Sequence, residues 1–521
     1  MNHKVDVVTT DSTKVETSEH LEKSKSDVRR IISAAIALFI TFACWSFSNP
    51  PGTTPDEWFH LGSIWCSAGV NDKSCMNKYD SADAGYFIGE APISDGSCIF
   101  HISAEISSCH EPEIGSYYIN YKLYPPIYYR TMHELVTPQP TLSVLLIRLF
   151  NSLIAATLLA IQLVMTSNRK RLAWLTGFTF TLLPMSIFLI SSVNPSGWAM
   201  TGLTNSWMFL LLVLTGANDS KRRKFWLWIL WLISTMMVLA SRYDAFLYLL
   251  ASNFVIVVST RIKLNRLPWK KVALGLLLVA VPLWLTIRKN ILLTWLINFP
   301  IHPSIGQTPT FTWISHWIVQ TIAVPISSLG TEPLGQGLPI SESVRVPDVV
   351  WIVGVALLGS IILFSLIKIS VHQFIFICGS YLAILFAVLS FNGRLERDLF
   401  NMSGRYVLPM FPFIVGYCIF SSKSPIQLME IRSLRFLAIS LLTIIHTLAL
   451  HAVIETFVDG QSYSLEPIHV GSAGWWWSGL PIGPNFVVLL GSITFFWFLT
   501  FAWSTVATVQ VEAAVRSESH S

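Results

Sequence analysis

Residues 29–60 read RRIISAAIALFITFACWSFSNPPGTTPDEWFH. Two arginines precede an apolar run, 31–48, and a Pro- and Gly-rich break follows it before two adjacent carboxylates. A helix crossing a bilayer needs about 20 mostly apolar residues, and this run meets the need. A long polar segment precedes it and no convincing small-residue cleavage site follows. The run therefore reads as an uncleaved first membrane span, not as a signal peptide.

The rest of the chain agrees with that span. Of 521 residues, 52% are hydrophobic and only 12% are charged, about half the ~25% usual in soluble domains. Mean hydropathy is +0.55. So few charges cannot solvate a protein surface of this size, which excludes a water-soluble enzyme, a disordered chain and a nucleic-acid binder. The expected fold class is an all-α polytopic membrane protein with about twelve transmembrane helices. They fall near 31–48, 141–165, 172–193, 197–216, 225–241, 245–260, 272–292, 349–367, 373–391, 406–421, 434–456 and 486–508. Residues 1–28 are too polar to fold alone and read as a disordered cytoplasmic tail. Residues 29–508 form the membrane domain, and 509–521 a second cytoplasmic tail.

Orientation follows from lysine and arginine in the connections. Arg169-Lys170-Arg171, Lys221 to Lys224, Arg261 to Lys271, and Lys423, Arg432 and Arg435 mark one side, while 194–197 and 457–484 carry no basic residue. The basic side belongs in the cytoplasm with both termini, in a plasma membrane. Loops 49–140, 293–348, 392–405 and 457–485 then face outward. Four cysteines, Cys66, Cys75, Cys98 and Cys109, lie in the first of these loops. An oxidising compartment favours two disulfides of unknown pairing, so a disulfide-stapled first exoplasmic loop is expected. A zinc site is the alternative, weakened because the spacing contains no CxxC pair.

Chemistry is expected at the outer face. Thr54 and Pro55 resemble an N-cap and first-turn residue, which puts Asp56 and Glu57 in the first turn of a short helix with His60 on their face. The three could form a general base with orienting partners. They could also hold a divalent cation through Glu57 and His60, at a known Glu-x-x-His ligand spacing. The bland alternative is two acidic residues favoured by the helix dipole. Basic groups on the same side are Arg242, Arg288, Lys289, Arg394, Arg397 and Arg405. Against the positive-inside bias, they suggest phosphate binding, since arginine offers a fork matched to phosphate oxygens. The alternative is simple pairing, Arg242 with Asp244 and Arg394 or Arg397 with Glu396 or Asp398. Tyr117, Tyr118, Tyr121, Tyr124, Tyr128, Tyr129 and Trp475 to Trp477 read mainly as an interfacial belt. His133, His316, His446 and His451 read as structural.

At these residues the chain resembles a family of bacterial multi-pass membrane proteins of unknown function, placed within the GT-C superfamily of membrane glycosyltransferases. The resemblance rests on Pro55-Asp56-Glu57 with His60, Asn194-Pro195, Leu329-Gly330 to Gly337-Leu338-Pro339, and Gly404-Arg405-Tyr406-Val407-Leu408-Pro409. It spans about residues 31–485. Where relatives usually show Gly-Trp-Leu-Asp, this chain reads Gly330-Thr331-Glu332-Pro333, with Glu332 as the acidic substitute.

The resemblance implies a GT-C-like, inverting transferase with a polyprenyl-phosphate sugar as donor. The acceptor would be an envelope glycan, a lipid or a protein, and the sugar a pentose or hexose, arabinofuranose among them. By motif position Asp56 is the catalytic base, Glu57 its nearest substitute and His60 an orienting or sugar-contacting group. Arg405, then Arg242, then Arg288 or Lys289 would bind donor phosphate, with Asn194, Tyr243, Tyr406 and Glu332 as further substrate contacts. No cofactor or metal is implied. Two other classes stand beside this one. A secondary transporter would show repeat symmetry and midplane carboxylates, and an envelope-assembly subunit would use the same polar clusters as structural pairs.

Overall fold

The computed structural model describes residues 12–68, 76–81, 86–92, 114–119, 124–216, 219–260, 344, 346–366, scattered positions from 369 to 381, 404–422, 431–459, 475–477 and 480–518. Among them, seven helices are long and apolar enough to cross a membrane. These are Ser26–Phe47, the apolar part of α1 (Ser12–Phe47), then α4 (Pro140–Met165), α7 (Pro195–Thr215), α8 (Lys221–Ser241), α10 (Asp348–Leu366), most of α12 (Arg432–Asp459) and the first part of α13 (Pro484–Glu518). An eighth is broken. α5 (Asn168–Thr181) and α6 (Pro184–Ile190) are bent by 93° where Pro184 removes a backbone donor.

Two shorter apolar helices, α9 (Ala245–Ser259) and α11 (Phe411–Ser421), fill the expected spans 245–260 and 406–421. At 15 residues, α9 is shorter than a full crossing. The expected span 272–292 and most of 373–391 lie outside the described residues, as do most of the second outer loop and residues 392–403. The helical part of α1 begins at Ser12, inside the segment read as a disordered tail, and α13 runs on to Glu518.

The all-α expectation needs a correction in the loop between the first two spans. After α2 (Glu57–Trp65), strands β1 (Met76–Ser81), β2 (Tyr86–Pro92) and β3 (Ile114–Ile119) form an antiparallel sheet in the order β1-β2-β3. Register pairs Asp80 with Phe87 and Ile88 with Tyr118. Short α3 (Pro126–His133) then leads into α4. Cys66 is disulfide-bonded, while Cys75, Cys98 and Cys109 lie outside the described residues.

α1 packs along α13 and α4, α7 lies against α8, and α5 against α11. The last contact depends on glycine. A Cβ at Gly177 would strike the Pro412 carbonyl oxygen and come within 2.9 Å of Gly416 Cα, so two backbones meet where no side chain fits. Large apolar side chains remain outward-facing: Phe254 is 60% exposed and Leu489 59%, as lipid contact requires.

The two ends of the bundle differ. At one end, Arg171 donates to Asp27 (3.0 Å) and to the Thr505 carbonyl (3.1 Å), and Arg223 donates to the Met165 carbonyl (2.6 Å). Basic connections and the sequence-terminal stretches of α1 and α13 therefore share that end. The far end of α1 carries the acidic loop.

Candidate functional site

The apolar helix α1 stops where Asn49-Pro50-Pro51-Gly52 can no longer continue it. Gly52 sits at φ 86° and Asp56 at φ 57°, the positive values among the described residues. Both fall in this one loop. Glycine accepts the left-handed region freely, and Asp is among the few L-residues enriched there. Helix α2 starts at Glu57 with Asp56 as its N-cap position, and the Asp56 side chain caps nothing. This corrects the expected Thr54 cap: the Thr54 hydroxyl is buried without a partner among the described residues. Released from capping, the Asp56 carboxylate points elsewhere.

The two adjacent carboxylates take opposite directions. Glu57 is fully buried against Arg148, which is also fully buried. Arg148 donates from Nε to Glu57 Oε1 at 2.9 Å and from Nη2 to Oε2. Its remaining donors reach the carbonyls of Ser46 (2.8 Å), Asn49 (2.9 Å) and Pro50 (3.0 Å). Glu57 also accepts from the Gly52 N–H (2.8 Å) and the Val193 N–H (3.1 Å). One ion pair thus ties together the end of α1, the Pro-Gly break, α2, α4 and the turn before α7. Glu57 is held in a buried network of donors here. Its oxygens are taken up by these donors, and among the described residues no group of three or more His, Cys, Asp or Glu is placed to hold a metal ion.

Asn194, read as a substrate contact, belongs to the same frame. Its carbonyl oxygen accepts from Ser196 N–H as the α7 N-cap (2.8 Å), and its amide donates to the Pro55 carbonyl (2.7 Å). The acidic loop is therefore pinned at Pro55, one residue before Asp56.

Asp56 remains partly exposed, at 22% of its side chain. Arg405, 349 residues away in a short 3-10 turn (Gly404–Tyr406), donates a single nitrogen, Nη2, to both Asp56 oxygens at 2.8 and 2.9 Å. The Arg405 Nε is buried with no acceptor among the described residues. Arg242, at the end of α8, is arranged differently. Its Nε and Nη2 meet the two Asp244 oxygens at 2.9 and 2.8 Å, and Nη1 donates to Ser196 Oγ at 3.1 Å. Both guanidiniums lie against the Tyr406 ring, at 4.4 Å for Arg242 and 5.6 Å for Arg405. Burial works against the Arg242 charge, but Asp244, Tyr124 and Tyr406 outweigh it and hold the guanidinium above its ordinary range.

His60 and three tyrosines wall this cluster. His60 Nδ1 lies 3.0 Å from the Tyr129 hydroxyl, and its ring meets Tyr124 edge-on at 5.0 Å. Burial pushes the imidazole down to about 3, against the pull of Asp56 and helped by Arg242 and Arg405. His60 is consequently neutral at ordinary pH, suited to orienting or contacting a ligand. Tyr243 reaches the Tyr124 carbonyl at 3.5 Å, and the Tyr406 carbonyl accepts from Tyr248 at 2.8 Å.

Several tyrosines and tryptophans read as an interfacial belt are interior instead. Tyr128 and Tyr129 are essentially fully buried, and Trp477 caps the end of α1 by donating to the Phe47 carbonyl at 2.9 Å. Of the sequence-derived candidates, the structure brings together Asp56, His60, Arg242, Arg405 and Tyr406, with Tyr243 beside Tyr124. Arg288, Lys289 and Glu332 lie outside the described residues. Arg148 was absent from the sequence candidates, although a lone charge inside an apolar span is a signal in itself.

No curated protein and no solved structure matches this chain. The family described as "Predicted membrane protein (DUF2142)" matches residues 39–414, a stretch that contains Asp56, Arg148, Arg242 and Arg405. The chain is a membrane protein of the DUF2142 family.

Proposed function

We propose that this protein is a membrane glycosyltransferase that moves a sugar from a polyprenyl-phosphate donor to an acceptor hydroxyl, with Asp56 as the general base. The observation that carries the reading is the placement of Asp56. It is a partly exposed carboxylate, set in a left-handed backbone position, beside two arginines drawn from distant parts of the chain. A transferase of this kind needs a base within reach of the acceptor hydroxyl and fixed cations where negative charge develops on the leaving phosphate. Both sets of groups occur in one cluster at one end of the bundle. The charge bias of the connections supports an exoplasmic position for that end.

In this mechanism the acceptor hydroxyl gives its proton to Asp56 as its oxygen bonds to the anomeric carbon. The bond from that carbon to the phosphate oxygen breaks on the opposite face, and configuration inverts. The bonding electrons leave with the lipid phosphate, whose charge Arg405 and Arg242 stabilise, with Arg288 or Lys289 as further candidates. Neutral His60 and Tyr124 offer an apolar and hydrogen-bonding wall for the sugar, and Tyr406 supports both guanidiniums. A glycan, a lipid or a protein would serve as acceptor, with a pentosyl or hexosyl donor, arabinofuranosyl included.

Asp56→Asn tests the reading. In a purified transfer assay with a polyprenyl-phosphate sugar, turnover should fall by roughly 10²- to 10⁴-fold while donor binding persists. Full turnover by folded Asp56→Asn protein would rule Asp56 out as the base.

A further inference from the structure

Asp56 and Asp244 both face arginine, yet their geometries differ. Arg242 meets Asp244 as a fork, with two nitrogens on two oxygens, and spends its third nitrogen on Ser196. Arg405 meets Asp56 with one nitrogen shared between two oxygens, leaving Nε buried and without an acceptor among the described residues. Parallel two-nitrogen pairing is the stronger and more directional form. The Arg405 pair is also the more open one, at 13% and 22% side-chain exposure against 11% and 9% for Arg242 and Asp244. Moreover, the four charges Asp56, Asp244, Arg242 and Arg405 cancel, so among the described residues the cluster has no spare cation for an anion while both pairs stand.

We infer that the Asp56–Arg405 pair is a latch opened by phosphate: an incoming phosphate ester takes over the Arg405 guanidinium and displaces the Asp56 carboxylate. This rests on the glycosyltransferase reading and assigns the order of events within that site. Arg405 exchanges one anion for another and gains an acceptor for its buried Nε. The freed carboxylate is no longer neutralised by a guanidinium and is available to take a proton. Arg242 keeps Asp244 throughout and supports the Tyr406 ring. The base is thereby armed when the donor is seated, and remains paired in its absence.

Carboxyl footprinting tests the latch, using the full chain in nanodiscs with carbodiimide and an amine label, read at Asp56 by mass spectrometry. Farnesyl phosphate is the lipid probe and inorganic phosphate the soluble one, with binding of each measured in parallel. Asp56 labelling should rise severalfold at saturating farnesyl phosphate. A similar rise with inorganic phosphate would assign the opening to the phosphate group alone, and no rise would assign it to the lipid ester; either supports the latch. In Arg405→Gln, labelling should be high without any ligand and should not respond to one. Bound farnesyl phosphate with Asp56 still protected would overturn the latch and leave the transferase reading standing. Absence of binding by both probes would overturn both. Low labelling in folded Arg405→Gln would show that Arg405 is not what shields Asp56, and would also overturn the latch.

Discussion

Asp56 and Glu57 are neighbours in the chain, and each is paired with an arginine far away in sequence, but the two ion pairs have little else in common. Glu57–Arg148 is sealed: both side chains are fully buried, and five hydrogen bonds from the arginine cover its donors. Asp56–Arg405 is open at one side and undersatisfied at the other. A fully satisfied buried network fixes a unique local structure. A partly exposed, incompletely paired charge retains interactions to offer a ligand. The left-handed turn at Asp56 is what separates the two. It directs one carboxylate into the bundle and its neighbour toward the open cluster.

The largest effect should come from breaking the sealed pair. Arg148→Met strands Glu57 as an unpaired buried charge and releases three carbonyls, at a cost of about 3–5 kcal/mol. The expected result is loss of folded protein in detergent, read by size-exclusion yield and thermal unfolding. The double variant Arg148→Met/Glu57→Leu should recover much of that loss, since apolar replacement of a whole buried pair is far milder than removing one partner. If the double variant is as unstable as the single one, the carbonyl contacts outweigh the ion pair.

Next is the acid side of the open cluster. Because burial holds His60 at about 3 in the folded protein, against about 6.5 unfolded, the unfolded chain binds the extra proton between those values. The contribution is therefore complete above about pH 6.5 and is lost progressively as pH falls toward 3. Wild type should lose about 2–3 kcal/mol more than His60→Gln between pH 7 and 4.5, measured by unfolding at both pH values. Equal losses would mean that His60 is not kept neutral by its surroundings.

A smaller change should follow Arg405→Gln. A partly exposed ion pair contributes about 0–1 kcal/mol, so stability should stay within about 1 kcal/mol of wild type while affinity for a polyprenyl-phosphate analogue falls. A stability loss as large as that of Arg148→Met would erase the distinction between the two pairs.

Much of this arrangement was legible from residue order, and the rest shows what residue order hides. Apolar runs announce their helices because the bilayer imposes a length, whereas the sharp break at Pro184 is masked because one apolar run covers both halves. The Arg242–Asp244 pair is readable because its members lie two residues apart. Asp56 and Arg405 are recognisable as separate motifs, but a separation of 349 residues carries no local sign that they touch. Arg148 escapes that reading because the apolar run 141–165 reads as a span whatever single charge it contains. Its partner, Glu57, looked equivalent to Asp56 because spacing does not reveal a backbone that turns left-handed between them. The small sheet escaped for a related reason: its strands lie in a polar outer loop where membrane periodicity gives no guidance.

The smallest expected effect probes that turn directly. At φ 57°, an ordinary L-residue pays a left-handed backbone cost that Asn and Asp partly offset and Gly does not incur. All three variants of Asp56 lose the ionic pair with Arg405, and Asp56→Gly and Asp56→Ala lose every acceptor for it, so the difference between those two reports the backbone alone. Asp56→Gly and Asp56→Asn should therefore be more stable than Asp56→Ala by about 0.5–1 kcal/mol, measured by thermal unfolding in the same detergent. That ordering would establish that aspartate stands where it does for two reasons at once, its carboxylate and its tolerance of the turn. If Asp56→Ala matched the other two, the backbone would hold its shape without help from the side chain. The separation of the two carboxylates would then be imposed by Pro55, Asn194 and Arg148, which pin the loop on either side of it.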